Sequence, residues 1–331
     1  MIMGLLSTQN VHQQSLAQYV ESPNPKAGLR KVERFFSEEP LAPQDYARAI
    51  VDLLGFKKKF DLCLDRTNWE FGDKSINYLV LSWRISKKIS LPLLFVELNK
   101  AGNSNTTERL DLLKQFAQIF GFHRIKSLMA DREFIGKKWF KELHENKIPY
   151  YIRMKDNTLL PWGKKPIHAK QLFHHLQGQQ KRLVEKEMYG GTVYFAGTPS
   201  KSGDELVIVM TNQKGKAEKI LSQYRQRWSI EELFRKLKTS GFHWENTHMK
   251  ESYRLVSLLI ILGFGLLIGL LVGHDTPIPW KKTLGCPLYS VFKHGLIHLQ
   301  FLVAHNPLEA FSIIFSLLKR ARFLIFSKSD G

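Results

Sequence analysis

The chain has 331 residues, 44% of them hydrophobic and 24% charged, which is long enough for two or three domains with cores of their own. Lys and Arg total 49 against 30 Asp and Glu, a formal net charge of +19. That excess favours a polyanionic partner, because each neutralised phosphate releases counter-ions, but alone it does not separate DNA from RNA or from an anionic membrane.

Cys63 and Cys286 are the only cysteines, which excludes a disulfide framework or a cysteine zinc site and fits a reducing cytosol. The opening MIMGLLSTQN lacks the basic segment and cleavage site of a secretory signal.

Residues 1–55 read as a helical region. Leu29, Val32, Phe35 and Phe36 have helical spacing, Glu38-Glu39-Pro40 ends the pattern, and Asp45 to Leu54 gives a second short helix. Such a module ahead of a catalytic core is a candidate for DNA binding. Phe60–Asp65, Asn77–Arg84 and Ile89–Leu98 are β-rich runs, the last two joined through Lys87–Lys88, and suggest an antiparallel meander. Thr107 to Phe120 has helical periodicity with acids near its start, Ile125–Ala130 is a strand ending at Asp131, Gly136–Asn146 is a helix, and Pro149–Met154 is a further strand.

Three antiparallel strands followed by helix, strand, helix and strand is the order of a ribonuclease H-like α/β fold, a mixed sheet flanked by helices, here over residues 56–154. Residues 155–212 break that pattern. They carry turn signals at Tyr189-Gly190-Gly191-Thr192 and Ser202-Gly203-Asp204, with strands at Val193–Ala196 and Glu205–Met210, and read as an inserted, mainly β module. Residues 213–250 return to the core. Residues 251–331 read as a helical C-terminal region. Within it, Leu255 to Gly273 carries no charged residue over 19 positions, close to the minimum for a membrane span. Its four glycines and its place late in an otherwise soluble-looking chain favour a buried core helix.

The candidate chemistry lies in acids. Asp65, at the end of the first strand, and Asp131, at the end of the fourth, fall on strands that lie side by side in this topology. Two acids so placed would repel each other unless a cation lay between them. Glu231, on a later helix, can supply a third carboxylate, and three oxygen ligands suit Mg²⁺ or Mn²⁺, with two ions able to activate an attacking oxygen and stabilise the leaving one. Each acid also has a plainer use as a turn or cap residue. Asp61 is a rival to Asp65 on the same strand face, and Asp73 a weaker one in a loop.

Glu231 lies in the stretch Tyr224 to Lys238, where Tyr224, Arg227, Glu231 and Lys238 would share one face of a continuous helix beside an apolar stripe of Ile230, Leu233, Phe234 and Leu237. Ser229 and Glu232 fit a capping box that would instead start a new helix at Trp228–Ser229 and put Glu231 in its first turn.

Tyr224, Arg227, Glu231 and Lys238 resemble the Tyr-(2)-Arg-(3)-Glu-(6)-Lys signature of bacterial insertion-sequence transposases of the DDE type. Asp65-Arg66-Thr67-Asn68-Trp69 and Asp131-Arg132-Glu133-Phe134 are similar to the first and second acid motifs of the large group with a β-rich insertion before the Glu. The resemblance spans about residues 60–250. It implies cut-and-paste movement of a DNA element by a synaptic homodimer, in the bacterial cytoplasm and on the nucleoid, with no membrane involved.

The reaction would be metal-dependent cleavage at the element's ends, followed by attack of the freed 3′-hydroxyl on another strand. Carried over, Asp65, Asp131 and Glu231 are the catalytic metal ligands, for two Mg²⁺ or Mn²⁺ ions. Tyr224, Arg227 and Lys238, with Arg132, hold DNA: the terminal inverted repeats and the target duplex. Some members hairpin the cleaved end and stack an extruded base on a Trp of the insertion, for which Trp162 is the candidate; Trp139, in the helix after the second acid, reads as core.

The alternatives are a ribonuclease H-like nuclease without strand transfer and a non-catalytic DNA-binding derivative of a transposase. His168, His174 and His175 read as surface groups, whereas His243 and His248 follow the Glu helix and could approach the site. Lys57-Lys58-Lys59 and Lys164–Lys165 are candidate DNA-backbone contacts.

Overall fold

The computed structural model describes residues 1–326 other than 39, 87, 88, 179, 201–204, 282 and 284. The Lys87–Lys88 junction and the Ser202-Gly203-Asp204 turn therefore lie outside the described residues. Four helices, α1 (Ile2–Thr8), α2 (Gln13–Ala17), α3 (Pro25–Glu38) and α4 (Pro43–Leu53), precede the first strand. Then come β1 (Phe60–Phe71), β2 (Lys74–Arg84), β3 (Ser90–Glu97), α5 (Thr106–Phe120), β4 (Ile125–Ala130), α6 (Lys137–Glu145) and β5 (Tyr150–Met154). α5 starts where Asn105 and Glu108 form a reciprocal capping box: the Glu108 backbone N–H donates to Asn105 Oδ1 at 2.9 Å, and the Asn105 N–H to the Glu108 carboxylate at 2.6 Å.

After β5 come two short strands, β6 (Leu159–Leu160) and β7 (Ile167–His168), then β8 (Arg182–Met188), β9 (Gly191–Pro199) and β10 (Leu206–Thr211). β6 pairs only with β7, whereas β8, β9 and β10 join the main sheet, whose order is β3-β2-β1-β4-β5-β10-β9-β8. β1, β4 and β5 run parallel, β2 runs antiparallel to β1, and β3 runs antiparallel to β2, the order expected from the sequence. β10 pairs antiparallel with β5 from Ile208↔Met154 to Thr211↔Tyr151, so the β-rich stretch lengthens the sheet on its far side. This large mixed sheet with helices around it is the α/β arrangement expected from the sequence.

The first strand is longer than its sequence pattern suggests, and Asp65 is not at its end. β1 continues six residues further, paired with β2 from Asp65↔Val80 to Phe71↔Lys74 around a turn in which Gly72 has φ +58°. Its pairing with β4, by contrast, stops at Leu64↔Ala130. Asp65 thus stands where β1 loses its parallel neighbour.

The chain returns through α7 (Ala217–Arg225), which packs on β5, β9 and β10, and α8 (Trp228–Lys238), which packs on β1, β2 and β3. α9 (Ser252–Asp275) is long and apolar enough to cross a membrane by length and composition, but it is buried along most of its length against α1, β3 and α10 (Val291–His305). Glycine makes that fit possible. A Cβ on Gly295 would collide with the backbone of Gly269, and one on Gly273 with the carbonyl of Val291. On another face Tyr46 meets Gly263 and donates its hydroxyl to Pro92 O at 2.9 Å. A two-stranded ribbon, β11 (Trp280–Lys281) and β12 (Cys286–Pro287), lies between α9 and α10, and α11 (Pro307–Lys319) and α12 (Ala321–Phe326) complete the described chain.

A candidate acid site at the edge of two parallel strands

Strand register fixes two of the acids. Leu64↔Ala130 is the last pair between β1 and β4, so the next residues stand side by side: Asp65, still paired with β2, and Asp131, which leaves the sheet. Asp131 opens a tight turn closed by the Phe134 N–H on the Asp131 carbonyl at 3.0 Å. Asp65 has its own backbone partner, the Arg66 N–H, which donates to Oδ1 at 2.8 Å.

The third acid comes from the helices. α7 ends at Arg225 and α8 starts at Trp228, but the backbone between them stays helical: Gln226 and Arg227 both have right-handed φ and ψ. Four three-residue hydrogen bonds run through the junction, from Gln226, Arg227, Ser229 and Ile230 to the carbonyls of Gln223, Tyr224, Gln226 and Arg227. The capping box expected at Ser229 and Glu232 is absent. Ser229 is 1% exposed, and its hydroxyl lies 3.7 Å from Cys63 Sγ on β1, so packing against the sheet takes the side chain the cap would have used. Glu231 lies in the first turn of α8.

Arg227 joins the parts. Its Nη1 donates to Asp65 Oδ2 at 2.8 Å and its Nη2 to Glu231 Oε1, and its side chain is 11% exposed. Tyr224 donates its hydroxyl to Asp131 Oδ1 at 3.3 Å, while its ring lies 5.9 Å from the Arg227 guanidinium carbon. One cation, one phenol and three carboxylates therefore form a continuous network.

Its electrostatics are uneven. Burial pushes the Asp65 carboxyl up to about 6; Arg227 and the Arg66 N–H pull the other way, and Asp131 and Glu133 add to the rise. Burial alone would lower Arg227, but Tyr224, Asp65, Asp131 and Glu231 together hold its guanidinium above its usual value. The two partners of the Asp65–Arg227 pair thus shift the same way. Arg227 has several neighbours favouring its charge, whereas Asp65 has one cation and two other acids. Burial pushes the Tyr224 phenol up to about 12, so it stays a donor at neutral pH.

A second ring of residues steadies the first. Arg66 pairs with Glu133 at 3.4 Å and with Asn77 Oδ1 at 3.0 Å, and Arg109 donates to Glu133 O at 3.1 Å. Asp61, the rival acid, is taken up elsewhere. Oδ2 pairs with Arg84 at 2.9 Å and with Lys126 at 3.1 Å, and Oδ1 accepts the Ser127 hydroxyl at 2.6 Å. Asp73 is exposed in the β1–β2 turn.

Other residues singled out in the sequence lie outside this network. Lys238 pairs with Glu245 at 2.6 Å and lies over the Trp69 ring at 5.6 Å. Arg132 pairs with Glu205 at 2.9 Å. Trp162 is half-buried, with Lys186 over its ring at 4.9 Å, and Trp139 is in the core. His248 turns to the N-terminal helices and the β1–β2 hairpin, with its ring 4.9 Å from His12 and 5.7 Å from Phe71. Lys57–Lys59 and Lys164–Lys165 are exposed.

Trp228, which the sequence reading did not single out, is 61% exposed at the start of α8, next to Arg227. Two residues before Ile230, it lies roughly opposite the apolar stripe round the helix, and so faces outward.

The donors here are carboxylate oxygens, the set that suits a hard divalent cation, and a positive charge already links Asp65 to Glu231. Among the described residues no three His, Cys, Asp or Glu side chains close round one point as a metal cage; Asp65 and Glu231 are set round a guanidinium instead. A family model described as "Transposase DDE domain" matches residues 86–268, more than half of the chain. Asp131 and Glu231 fall inside that span and Asp65 before it. No curated protein matches the chain.

Proposed function

On the premise that this chain belongs to the DDE transposase domain family, and so acts on DNA, we propose that it cuts a phosphodiester at each end of a mobile DNA element and joins the freed 3′-hydroxyl to a target strand. Within the family we assign it to the group with the Tyr-(2)-Arg-(3)-Glu-(6)-Lys signature, in which Asp65, Asp131 and Glu231 are the catalytic acids. The observation that carries this reading is the convergence of three segments far apart in sequence: Asp65 and Asp131 from adjacent strands, and Glu231 linked to Asp65 through Arg227.

The family typically uses divalent metal ions. Asp65, Asp131 and Glu231 would hold them here, as Mg²⁺ or Mn²⁺; when bound, they supply a more acidic water and positive charge for the phosphate oxygens. The chain's own groups do the rest. Arg227 offers a planar fork to a phosphate and Lys238 a point charge, so the scissile bond is fixed by its neighbours on the DNA backbone. Tyr224 keeps its proton and holds Asp131 in place. Hydrolysis and strand joining are both in-line displacements at phosphorus, so one set of acids serves both by exchanging a water for a 3′-hydroxyl.

The +19 charge supports a duplex partner, and a homodimer would bring two ends together. The half-buried Trp162, in the β-rich stretch, is our candidate for stacking on an extruded base. The burial of α9 supports a reading without a membrane.

Nicking of a labelled duplex carrying the element's terminal repeats tests the assignment. Asp65→Asn, Asp131→Asn and Glu231→Gln should each abolish nicking while retaining end binding. A Glu231→Gln variant that still nicks overturns it. Pre-cut ends that fail to join to a target duplex would reduce the reading to a nuclease.

A further inference from the structure

We propose that Arg227 is the resting counter-ion of the acid site, and that a divalent cation enters only by displacing it, so that metal and guanidinium compete for the same oxygens of Asp65 and Glu231. The inference rests on the assignment of those acids as metal ligands and adds a regulator to them.

The geometry is specific. Arg227 does not grip one carboxylate with both arms; it spends one nitrogen on Asp65 and the other on Glu231. The two acids are thereby held apart by the width of the guanidinium. A metal such as Mg²⁺ needs its oxygens at about 2.0–2.1 Å and would draw them closer than the fork allows. Both cations cannot satisfy the same two oxygens together. Nor is the contact a loose surface pair: the Arg227 side chain is 11% exposed and Asp65 17%. Removal of either cation without a replacement would leave neighbouring carboxylates facing each other, which is costly in a partly buried site.

The position of Arg227 gives it somewhere to go. It stands in the short junction between α7 and α8, bonded there by three-residue turns, with exposed Trp228 beside it. A guanidinium released from the acids keeps its five donors and its charge, and a DNA phosphate is the anion that suits it. Metal and DNA therefore help each other: metal frees Arg227 for phosphate, and phosphate holds Arg227 off the acids. By linkage the effect is reciprocal, and DNA should raise metal affinity by the same factor by which metal raises DNA affinity.

Titration of the full-length protein with Mn²⁺, read by electron paramagnetic resonance of free Mn²⁺, tests this without any turnover. Arg227→Gln removes the charge and leaves a shorter polar side chain. It should bind Mn²⁺ about tenfold more tightly than the parent, within the usual range of coupling between two sites. Adding a short duplex should tighten Mn²⁺ binding by the parent and leave Arg227→Gln unchanged. The double variant Asp65→Asn/Glu231→Gln should lose the site.

If the double variant loses Mn²⁺ but Arg227→Gln binds it no better than the parent, the counter-ion role is overturned and the acid assignment stands. If the double variant binds Mn²⁺ like the parent, both fall. A parallel thermal melt of each protein in chelator identifies any variant that has unfolded. In that case Arg227→Lys replaces Arg227→Gln: one ammonium cannot span both acids, and it should also bind Mn²⁺ more tightly than the parent, with equal affinity overturning the proposal.

Discussion

Asp61 and Asp65 lie four residues apart on the same face of β1, and either would satisfy a search for an acid on that strand. Asp61→Ala separates them. The Asp61 and Arg84 side chains are 11% and 10% exposed and meet at 2.9 Å. Losing Asp61 leaves a buried guanidinium with its charge uncompensated, which costs about 3–5 kcal/mol. The Lys126 contact adds little, about 1 kcal/mol at most, because that side chain is 62% exposed. The Ser127 hydroxyl loses a charge-assisted partner, but its cost overlaps with that of the ion pair.

A loss of this size is a large part of an ordinary domain's stability of about 5–15 kcal/mol. The urea midpoint should therefore fall sharply while the protein stays folded in the cold. Replacing both partners, Asp61→Ala with Arg84→Met, should recover most of the loss, since an apolar pair leaves no stranded charge. Nicking per folded molecule should be near that of the parent in both variants. An Asp61→Ala protein that unfolds like the parent yet does not nick would refute the reasoning and move the first acid from Asp65 to Asp61.

Three further outcomes follow from other parts of the structure. Asp65 has a folded pKa of about 6 against an ordinary 3.8, so its protonated form is favoured in the fold. Its contribution to stability is full below the ordinary value and lost as pH rises through about 6. In chelator, the urea midpoint of the parent should therefore drop between pH 4 and pH 6 relative to Asp65→Asn, and parallel curves would contradict the burial account. Trp162→Ala should weaken binding of frayed DNA ends by about 1–3 kcal/mol per stacked base, measured by anisotropy, and unchanged binding would remove it as the stacking residue. Gly295→Ala forces a methyl into the Gly269 backbone and should cost about 1–3 kcal/mol in urea unfolding; an unchanged midpoint would mean that α9 and α10 are not in such close contact.

The sheet order was legible because β1 to β5 are runs of apolar and β-branched residues separated by helical periodicity, and those runs fix the pairing. What escaped the sequence depends on partners far along the chain. The first strand reads as ending at Asp65, but Thr67 and Trp69 face inward and continue the hairpin with β2. β8 is a charged segment with most of its residues in solvent, and only its pairing with β9 makes it a strand. Ser229 had the spacing of a cap, but burial against Cys63 outweighed that local preference. The link between Arg227 and Glu231 was visible as a four-residue spacing. The other arm of the same guanidinium reaches Asp65, 162 residues earlier, and nothing local signals that.

The spacing of the signature residues has a physical reason in the junction that carries them. Tyr224 and Arg227 are three residues apart where the backbone is tightened to three-residue hydrogen bonds, and in such a turn side chains three apart eclipse. That brings the phenol ring under the guanidinium. Arg227 and Glu231 are four residues apart where α8 takes over, and in an α-helix side chains four apart share a face. A three-then-four spacing would keep these side chains on one face of a continuous α-helix, and the tightened turns at the junction bring Tyr224 and Arg227 closer into line still. Since α7 packs on β5, β9 and β10 and α8 on β1, β2 and β3, the change of helix type falls where the chain passes the ends of β1 and β4, and the sheet's two acids meet the helices' one there.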